Sequence, residues 1–264
     1  IDQALNEIID LAPDLVVINL TEKQYFDKIY TLIKKGIFIY TLNNFYEEIF
    51  QKVPAEKIEK EEVIDYLSKN KTIFNFTKRV LDIILSLILL IILSPIFVLV
   101  AILIDTTSKG PIIFKHKRIS LSDTEFIIYK FRSMYIDAEK NGAIWTENNK
   151  KDARITPIGR FLRETHLDEI PQLINILKGD ISFVGPRPER PEFIVGLKKD
   201  ILYYDLRHAV KAGLTGWAQV NYKYGSSVED AKEKLKYDLF YIKNRNIFFD
   251  ILIILKTVAK IFVH

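Results

Sequence analysis

The sequence predicts an α+β protein that is mostly helical, carries one membrane-associated helix and begins with a fragment of an α/β domain. Three observations predict this class. Two short β-branched runs flank a helical stretch near the N-terminus, a long apolar run follows, and the rest is polar with many helix start and stop signals. With 48% apolar and 27% charged residues, a disordered or collagen-like chain is excluded.

Composition narrows the kinds of site and partner. The 264 residues contain no cysteine, which excludes disulfides, thiolate zinc sites, iron–sulfur clusters and a cysteine nucleophile. The net charge of +4 suits anionic lipid or phosphate as much as nucleic acid. Because the chain opens with Ile1 and its one methionine is Met134, we expect a fragment of a longer protein.

Residues 1–70 are predicted to form a partial α/β domain and a connector. The runs 14–20 (DLVVINL) and 37–41 (IFIYT) indicate two strands, and Thr21 is suited to cap the helix between them. Such a β-α-β unit is typical of a parallel sheet. No glycine-rich loop follows the first strand, so nothing favours nucleotide binding there. The charged residues 55–70 predict a helical connector.

The strongest signal is the apolar run 83–104, in which only Ser86, Ser94 and Pro95 are not strongly apolar. A bilayer core takes about 20 helical residues, so this run is long enough to cross it. A buried helix of a soluble domain is the alternative, but a stretch that is apolar all round seldom lies in a small domain.

The path of this helix in the membrane has two readings. Positive charge favours the cytoplasmic side, and here it flanks both ends of the run. Pro95 removes a backbone donor, and Ser94 can satisfy a freed carbonyl in the apolar phase. A helix–break–helix that dips in and returns accounts for the charge and the proline. A straight span accounts for the hydropathy, and sequence physics leaves both open.

The polar stretch that follows contains a predicted helix with two arginines. Thr156-Pro157 is a good helix start, with a capping side chain and a proline in the first turn. Arg160 and Arg163 then lie three residues apart on one helical face. Paired guanidinium groups suit phosphate oxygens, although a solvated basic face is the simpler alternative.

Two adjacent carboxylates, Asp168 and Glu169, come next. Because Pro171 is tolerated only in a first helical turn, we expect a helix to begin near Asp168 and to end at Gly179. Ionised carboxylates there can bind Mg²⁺, and a carboxylate can also attack phosphorus. The alternative is that Asp168 is only a helix cap and Glu169 a first-turn acid.

The remaining signals are weaker. The proline-rich loop 185–191 presents Arg187 and Arg190, either as an anion contact or as a simple connection between helices. Trp217 suits a core or a lipid interface equally. The four histidines show no metal-ligand spacing. Residues 246–264 predict a helix that lies on the membrane or packs against the domain.

These residues together resemble the bacterial sugar transferases, the monotopic polyprenyl-phosphate phosphoglycosyl transferases that start exopolysaccharide, O-antigen and glycoprotein-glycan assembly. The resemblance runs from Lys78 to the C-terminus. Its motifs, in order, are KRVLD (78–82), SP (94–95), GP (110–111), KFRSM (130–134), RITPIGRFLR (154–163), LDEIPQ (167–172), GPRP (185–188), GLTGWAQV (213–220) and KLKYD (234–238).

The resemblance implies an α+β fold with a mostly helical catalytic domain at 111–245. It implies a re-entrant membrane helix at 71–110, with the break at Ser94 and Pro95, and a C-terminal interfacial helix at 246–264. The N-terminal fragment, through NFYEE (44–48), is similar to the tail of a Rossmann-like cofactor-binding domain found in larger members. Ala153, Ala212 and the glycine-free turn 120–123 depart from the family pattern, which puts local loop shape in doubt.

The resemblance also implies a reaction. Asp168 and Glu169 would be the catalytic dyad, with Asp168 attacking the β-phosphorus of a UDP-sugar to release UMP. Undecaprenyl phosphate would then accept the phosphosugar. Mg²⁺ would be held by Glu169 and Asp168. The phosphate-binding residues would be Arg160, Arg163, Arg187, Lys78 and Arg79.

The implied partners are the UDP-sugar, undecaprenyl phosphate and membrane lipid. No nucleic acid is expected, and homo-oligomerisation is left open. The implied location is the bacterial inner membrane, with the catalytic domain on the cytoplasmic face. Two rival functions remain at this point. One is an ordinary glycosyltransferase that releases UDP, and the other is a non-catalytic membrane scaffold.

Overall fold

The chain divides into two compact units, residues 1–58 and 59–264. The structure is a computed structural model, and it describes residues 7–8, 11, 13–18, 26–58, 71–138, 140, 152–223, 225 and 227–262. Small two-stranded sheets and many helices make the fold mostly helical and compatible with the α+β class. The four-part division expected from the sequence stays a prediction.

The first unit is the predicted β-α-β arrangement. Strand β1 (Leu15–Ile18) pairs in parallel with β2 (Phe38–Thr41), and α1 (Phe26–Lys34) connects them. Helix α2 (Leu42–Phe50) follows at once, because the Thr41 side chain accepts a hydrogen bond from the Asn44 amide. The relation to a Rossmann-like domain stays a prediction.

Two predicted features of this unit lie largely outside the described residues. The expected cap at Thr21 is one of them. The connector helix over 55–70 is the other, since 59–70 are not described. The described start of that segment forms a 3₁₀ turn, Ala55–Lys57.

The second unit begins with α3 (Thr72–Thr107), a helix of 36 residues. It is the one described helix long and apolar enough to cross a membrane. The rest of the unit packs small sheets among short helices. Its elements are β3 (Ile113–Ile119), β4 (Glu125–Phe131), α4 (Pro157–Glu164), α5 (Gln172–Lys178), β5 (Ser182–Val184), α6 (Pro191–Asp200), β6 (Gly213–Thr215), α7 (Trp217–Asn221), α8 (Val228–Asn244) and α9 (Ile247–Phe262).

The strands described in this second unit form two pairs. β3 and β4 are antiparallel and are joined by a tight turn, whereas β5 and β6 are parallel. In the tight turn, Ser122 and Asp123 adopt positive φ angles of 52° and 59°. Two departures from the family pattern meet beside it, because the Ala212 amide donates to Ser120 Oγ at 3.1 Å. A proline at position 212 has no amide hydrogen to donate.

The predicted break in the membrane helix is wrong as a break in helical structure. Helical backbone continues through Ser94 and Pro95. Pro95 cannot donate to the carbonyl four residues earlier, which is that of Ile91. The Ser94 hydroxyl donates to this Ile91 carbonyl at 2.8 Å instead. The freed acceptor is therefore satisfied, as the sequence predicted, and the helix need not end.

Both ends of α3 are attached to the second unit. At the N-terminal end, Arg79 donates to the Ile176 and Leu177 carbonyls at 2.6 and 2.7 Å. At the C-terminal end, Arg132 donates to the Ser108 carbonyl at 2.6 Å. The middle is exposed, with Ile91 73% accessible. The two ends of α3 therefore contact the rest of the second unit, whereas its middle is largely exposed.

Buried polar contacts fix the first turns of α3. The carboxylate of Asp82 accepts hydrogen bonds from the Ser182 hydroxyl and the Phe183 amide, both at 3.1 Å. Lys78 pairs with Asp250 on α9. Separating these groups would leave buried polar partners without hydrogen bonds, which costs free energy. The contacts therefore hold the start of α3 against β5 and α9.

The structure tests the predictions for the C-terminal helix and for Trp217. Helix α9 forms as predicted, and it buries Ile253 while Phe248 is 85% exposed. Its place at the membrane surface stays a prediction. Of the two environments left open for Trp217, the structure has the core, where its ring packs on Phe240 and Phe249.

Two glycines in helices provide a matched test of the packing. A Cβ on Gly159 of α4 would lie 2.0 Å from the Ser133 carbonyl oxygen, whereas one on Gly196 of α6 would meet nothing within 4 Å. We expect Gly159→Ala to lower the free energy of unfolding by about 1–3 kcal/mol. Thermal unfolding of the nanodisc-held protein measures the change.

Gly196→Ala is the control for this substitution. Alanine restricts the unfolded chain and suits a helix interior, so it should raise the free energy of unfolding by about 0.5–1 kcal/mol. Shifts of the same sign in the two variants would contradict the packing described for Gly159.

Candidate active site

The two candidate carboxylates lie on a 3₁₀ turn, Leu167–Glu169, between α4 and α5. The prediction that a helix begins at Asp168 is wrong by one turn, because α5 begins at Gln172 and ends, as expected, at Gly179. His166 enters the turn with φ of 57°. Bonds of the i to i+3 type, such as Ile170 N–H to the Leu167 carbonyl, hold the turn apart from α5.

Local sequence signals explain the helix before this turn. The Thr156 hydroxyl caps α4 by accepting from the Gly159 amide at 2.9 Å, and Pro157 occupies the first turn. This confirms the predicted helix start. At the C-terminal end of α4, Arg163 donates through Nε to the Ser133 hydroxyl at 2.8 Å.

Glu169 is held by two cations. Its Oε1 accepts from Lys130 Nζ and from Arg187 Nη2, both at 2.7 Å. Burial alone would raise the pKa of Glu169, but the charges of Arg187 and Lys130 outweigh it and hold the pKa far below its ordinary value. Glu169 is therefore an anion that draws two basic side chains to one point.

Asp168 is buried beside Glu169 but is bonded differently. Within the described part of the chain, no hydrogen bond to its carboxyl group is found. Burial raises the pKa of Asp168, the charge of Lys130 opposes this rise, and the charge of Glu169 adds to it. Since no cap bond uses it, the helix-cap alternative for Asp168 does not hold. The group is available for chemistry.

Lys130 was not among the predicted site residues, although a signal for it exists. Phe126, Ile128 and Lys130 alternate along β4, and the first two point into the core. Side chains two residues apart share a face of a strand. A lysine at the third inward position is a sign of a buried carboxylate partner, which here is Glu169.

The predicted phosphate-binding arginines are separated by the fold. Arg187 contacts Glu169, and the charge of Arg163 opposes the rise that burial causes in the pKa of Asp168. Arg160, on the same helix as Arg163, is exposed, and its side chain forms no hydrogen bond or ion pair among the residues described. The structure therefore brings Arg163 and Arg187, but not Arg160, to the carboxylate pair.

The two basic residues at the start of α3 are engaged elsewhere. Lys78 pairs with Asp250, and Arg79 binds the last carbonyls of α5. Neither contacts Asp168 or Glu169 among the interactions described. Their predicted binding of lipid phosphate stays a prediction.

The fit of a divalent metal depends on the two carboxylates. Within the described residues, no cluster of three or more histidine, aspartate or glutamate side chains could hold a metal by itself. Mg²⁺ is often bound by one or two carboxylates, with water and substrate phosphates completing its shell. Asp168 and Glu169 fit that mode.

Comparisons with known proteins bear on residues 73–264, which match the family model described as bacterial sugar transferase. The chain is 38% identical over 205 residues to UDP-N-acetylgalactosamine-undecaprenyl-phosphate N-acetylgalactosaminephosphotransferase of Aeromonas hydrophila, which covers 75% of this chain and 48% of the relative. It is 39% identical to UDP-glucose:undecaprenyl-phosphate glucose-1-phosphate transferase of Escherichia coli, over 71% of this chain and 40% of that protein.

A shorter relative is matched almost in full. The exopolysaccharide production protein PSS of Rhizobium leguminosarum bv. phaseoli is 40% identical over 69% of this chain and 94% of its own length. The chain thus spans about half or less of the two longer relatives. The matched region includes α3, the carboxylate pair and the arginine loop, and the chain belongs to the bacterial sugar transferase family.

Proposed function

We propose that this chain transfers a sugar 1-phosphate from a UDP-sugar to undecaprenyl phosphate and so initiates the assembly of an exopolysaccharide, O-antigen or related glycan. One observation carries the mechanism. Glu169 is bonded to two cations at 2.7 Å, whereas its buried neighbour Asp168 is left without a hydrogen bond among the described residues. Glu169 is therefore the fixed anion of the pair, and Asp168 is the available nucleophile.

The first step is a displacement at phosphorus. An oxygen of Asp168 attacks the β-phosphorus of the UDP-sugar, the bond from that phosphorus to the bridging oxygen breaks, and UMP leaves with the electron pair. The aspartyl phosphosugar remains on the chain. Burial raises the pKa of Asp168, and the charges of Lys130 and Arg163 oppose this rise, which favours the ionised form that the attack requires.

The second step reverses the chemistry on a lipid acceptor. A phosphate oxygen of undecaprenyl phosphate attacks the same phosphorus, the bond to the Asp168 carboxyl oxygen breaks, and a polyprenyl diphosphosugar is released. Arg187, with its side chain 43% exposed beside Glu169, is suited to hold the phosphate groups.

Mg²⁺ is the proposed cofactor, with Glu169 and Asp168 as the residues that would hold it. When bound, it neutralises charge on the donor diphosphate. The donor is a UDP-hexose or UDP-N-acetylhexosamine, since relatives are named for transferring glucose, galactose and N-acetylgalactosamine phosphates.

The proposed location is the bacterial inner membrane, with the second unit on the cytoplasmic face and α3 re-entrant. The attachment of both ends of α3 to one polar unit supports this path. A straight helix of 36 residues would extend about 54 Å and would carry its ends to opposite sides.

Nucleotide release tests the reaction. Nanodisc-held protein with Mg²⁺ and undecaprenyl phosphate should release UMP from one of a panel of UDP-sugars, and Asp168→Asn should lower the rate by about 10³-fold or more. The exposed Asp205→Asn is the matched control and should keep full activity. Release of UDP would indicate an ordinary glycosyltransferase. No release of either nucleotide would favour a scaffold, and both results contradict the proposal.

The pH dependence of stability tests the state of Glu169. A carboxyl group whose pKa is depressed in the folded state stabilises it above the unfolded pKa, here about 4.5, and loses this contribution as the pH falls. Lys130→Gln removes one of the two cations. We expect it to cost about 1.5–3 kcal/mol at pH 7, because one of the two charge-assisted hydrogen bonds to Glu169 is lost. The gap from the wild type narrows only as the pH falls below the folded-state pKa of Glu169 in the variant.

Chemical unfolding of the detergent-held protein between pH 3 and 7 measures this gap. Lys198→Gln is the control, because Lys198 pairs with Asp123 at the surface and its loss should cost under about 1 kcal/mol. Equal free energies of unfolding for Lys130→Gln and the wild type at pH 7 would contradict the account of Glu169.

Cysteine labelling tests the path of α3. The chain has no cysteine, so single cysteines report without background. We expect Thr72→Cys and Lys109→Cys, in inverted vesicles, both to react with an impermeant maleimide on the cytoplasmic side. Reaction of the two positions from opposite sides would indicate a straight span.

A further inference from the structure

The loop that presents Arg187 is held through its carbonyl oxygens. Pro186 and Pro188 have no amide hydrogen, so backbone acceptors are the main points at which the fold can fix them. Three successive carbonyls are bound by three different elements. The Gly213 amide donates to the Pro186 carbonyl at 2.9 Å, Arg207 Nη2 to that of Arg187 at 2.9 Å and Arg118 Nη1 to that of Pro188 at 3.2 Å.

Arg207 is itself fixed by buried partners. Its Nε and Nη2 donate to the Asp238 carboxylate on α8 at 3.1 and 2.9 Å, and its Nη1 donates to the Tyr204 hydroxyl at 2.7 Å. A guanidinium bound along two edges cannot turn without losing hydrogen bonds. Among the described residues, its side chain donates to one further group, the Arg187 carbonyl.

Arg118 reaches the same loop from β3. Besides the Pro188 carbonyl, it donates to Glu189 Oε1 at 3.2 Å. The same carboxylate oxygen accepts from the Arg190 amide at 2.9 Å, and the Ile119 amide donates to the Glu189 carbonyl at 3.0 Å. Strand β3 and its Arg118 therefore fix the two residues that follow Arg187, whereas Arg207 fixes the carbonyl of Arg187 itself.

We propose that Arg207 and Arg118 are positioning residues, which hold the carbonyls of Arg187 and Pro188 so that the Arg187 guanidinium meets Glu169 and the donor phosphate. This inference rests on the proposed phosphoglycosyl transfer. Neither arginine touches the carboxylate pair in the interactions described. Both act through the backbone on either side of Arg187.

The fixed loop offsets an unfavourable arrangement of charge. Burial is the largest cause that lowers the pKa of Arg118, Glu189 opposes it, and the positive charges of the nearby Arg187 and Arg190 lower it further. A loosely held Arg187 would move away from its cationic neighbours. The two carbonyl contacts prevent this, and a displacement of about 1 Å at such a group can lower a rate by about 10²-fold.

A double-mutant cycle tests the proposal. Arg207→Lys keeps a positive charge beside Asp238 but cannot donate to Asp238, Tyr204 and the Arg187 carbonyl together. We expect it to lower kcat/KM for UMP release by about 10- to 100-fold in protein that is shown to be folded. In an Arg187→Gln background the same change should lower kcat/KM by less than about 2-fold, because the group that it positions is gone.

Arg118→Lys gives a second cycle if Arg207→Lys does not fold, because the Arg118 side chain is 22% exposed and lies on a strand. The control is Arg245→Lys, directly after α8, whose ionisable neighbours are Tyr241 and Asp250 and not the carboxylate pair. It should leave kcat/KM within about 2-fold of the wild type. Losses that are additive with Arg187→Gln would overturn the proposal, and so would an unchanged rate in a folded variant.

Binding of UDP to the same proteins separates this inference from the reaction. Isothermal titration should show weaker UDP binding for Arg187→Gln and, to a similar extent, for Arg207→Lys, whether or not the wild type turns over. If the wild type releases no UMP, the proposed function fails while the binding cycle still decides the positioning role. Equal UDP binding by Arg207→Lys and the wild type, with binding lost in Arg187→Gln, would contradict that role.

Discussion

The ion pair of Glu169 with Lys130 and Arg187 is the interaction on which the rest of the site depends. Three segments far apart in sequence meet at one carboxylate oxygen: the inward face of β4, the turn after α4 and the proline-rich loop. A buried charge is tolerated only where partners compensate it. Glu169 therefore holds the two cations beside Asp168, at the place where we propose that the donor diphosphate binds.

The membrane helix α3 contacts the elements that carry this site. Arg79 closes the C-terminal end of α5, and Asp82 binds the start of β5. Helix α5 in turn follows the carboxylate turn directly. A lipid acceptor that lies along α3 would thus reach the site without a separate binding domain. The same unit binds both ends of the helix, which couples membrane position to site geometry.

Much of this arrangement could be predicted from residues that act locally. The Thr156 cap, the Gly179 helix end and the β-α-β unit follow from short-range rules. The contacts of Lys130 and Arg207 could not be predicted so directly, since their partners are distant in sequence. The family resemblance implied a break at Pro95, but helical structure continues there and Ser94 replaces the missing bond. The turn at Asp168 was not predicted, because i to i+3 bonds compete closely with those of an α-helix.

The central claim is that Asp168 carries the phosphosugar between the two half-reactions. Intact-protein mass spectrometry tests this most directly, on nanodisc-held chain mixed with Mg²⁺ and UDP-sugar but no lipid acceptor. The account predicts a mass increase equal to one sugar phosphate, mapped to the peptide that contains Asp168 and lost when undecaprenyl phosphate is added. Turnover with no adduct, or an adduct on another residue, would contradict it.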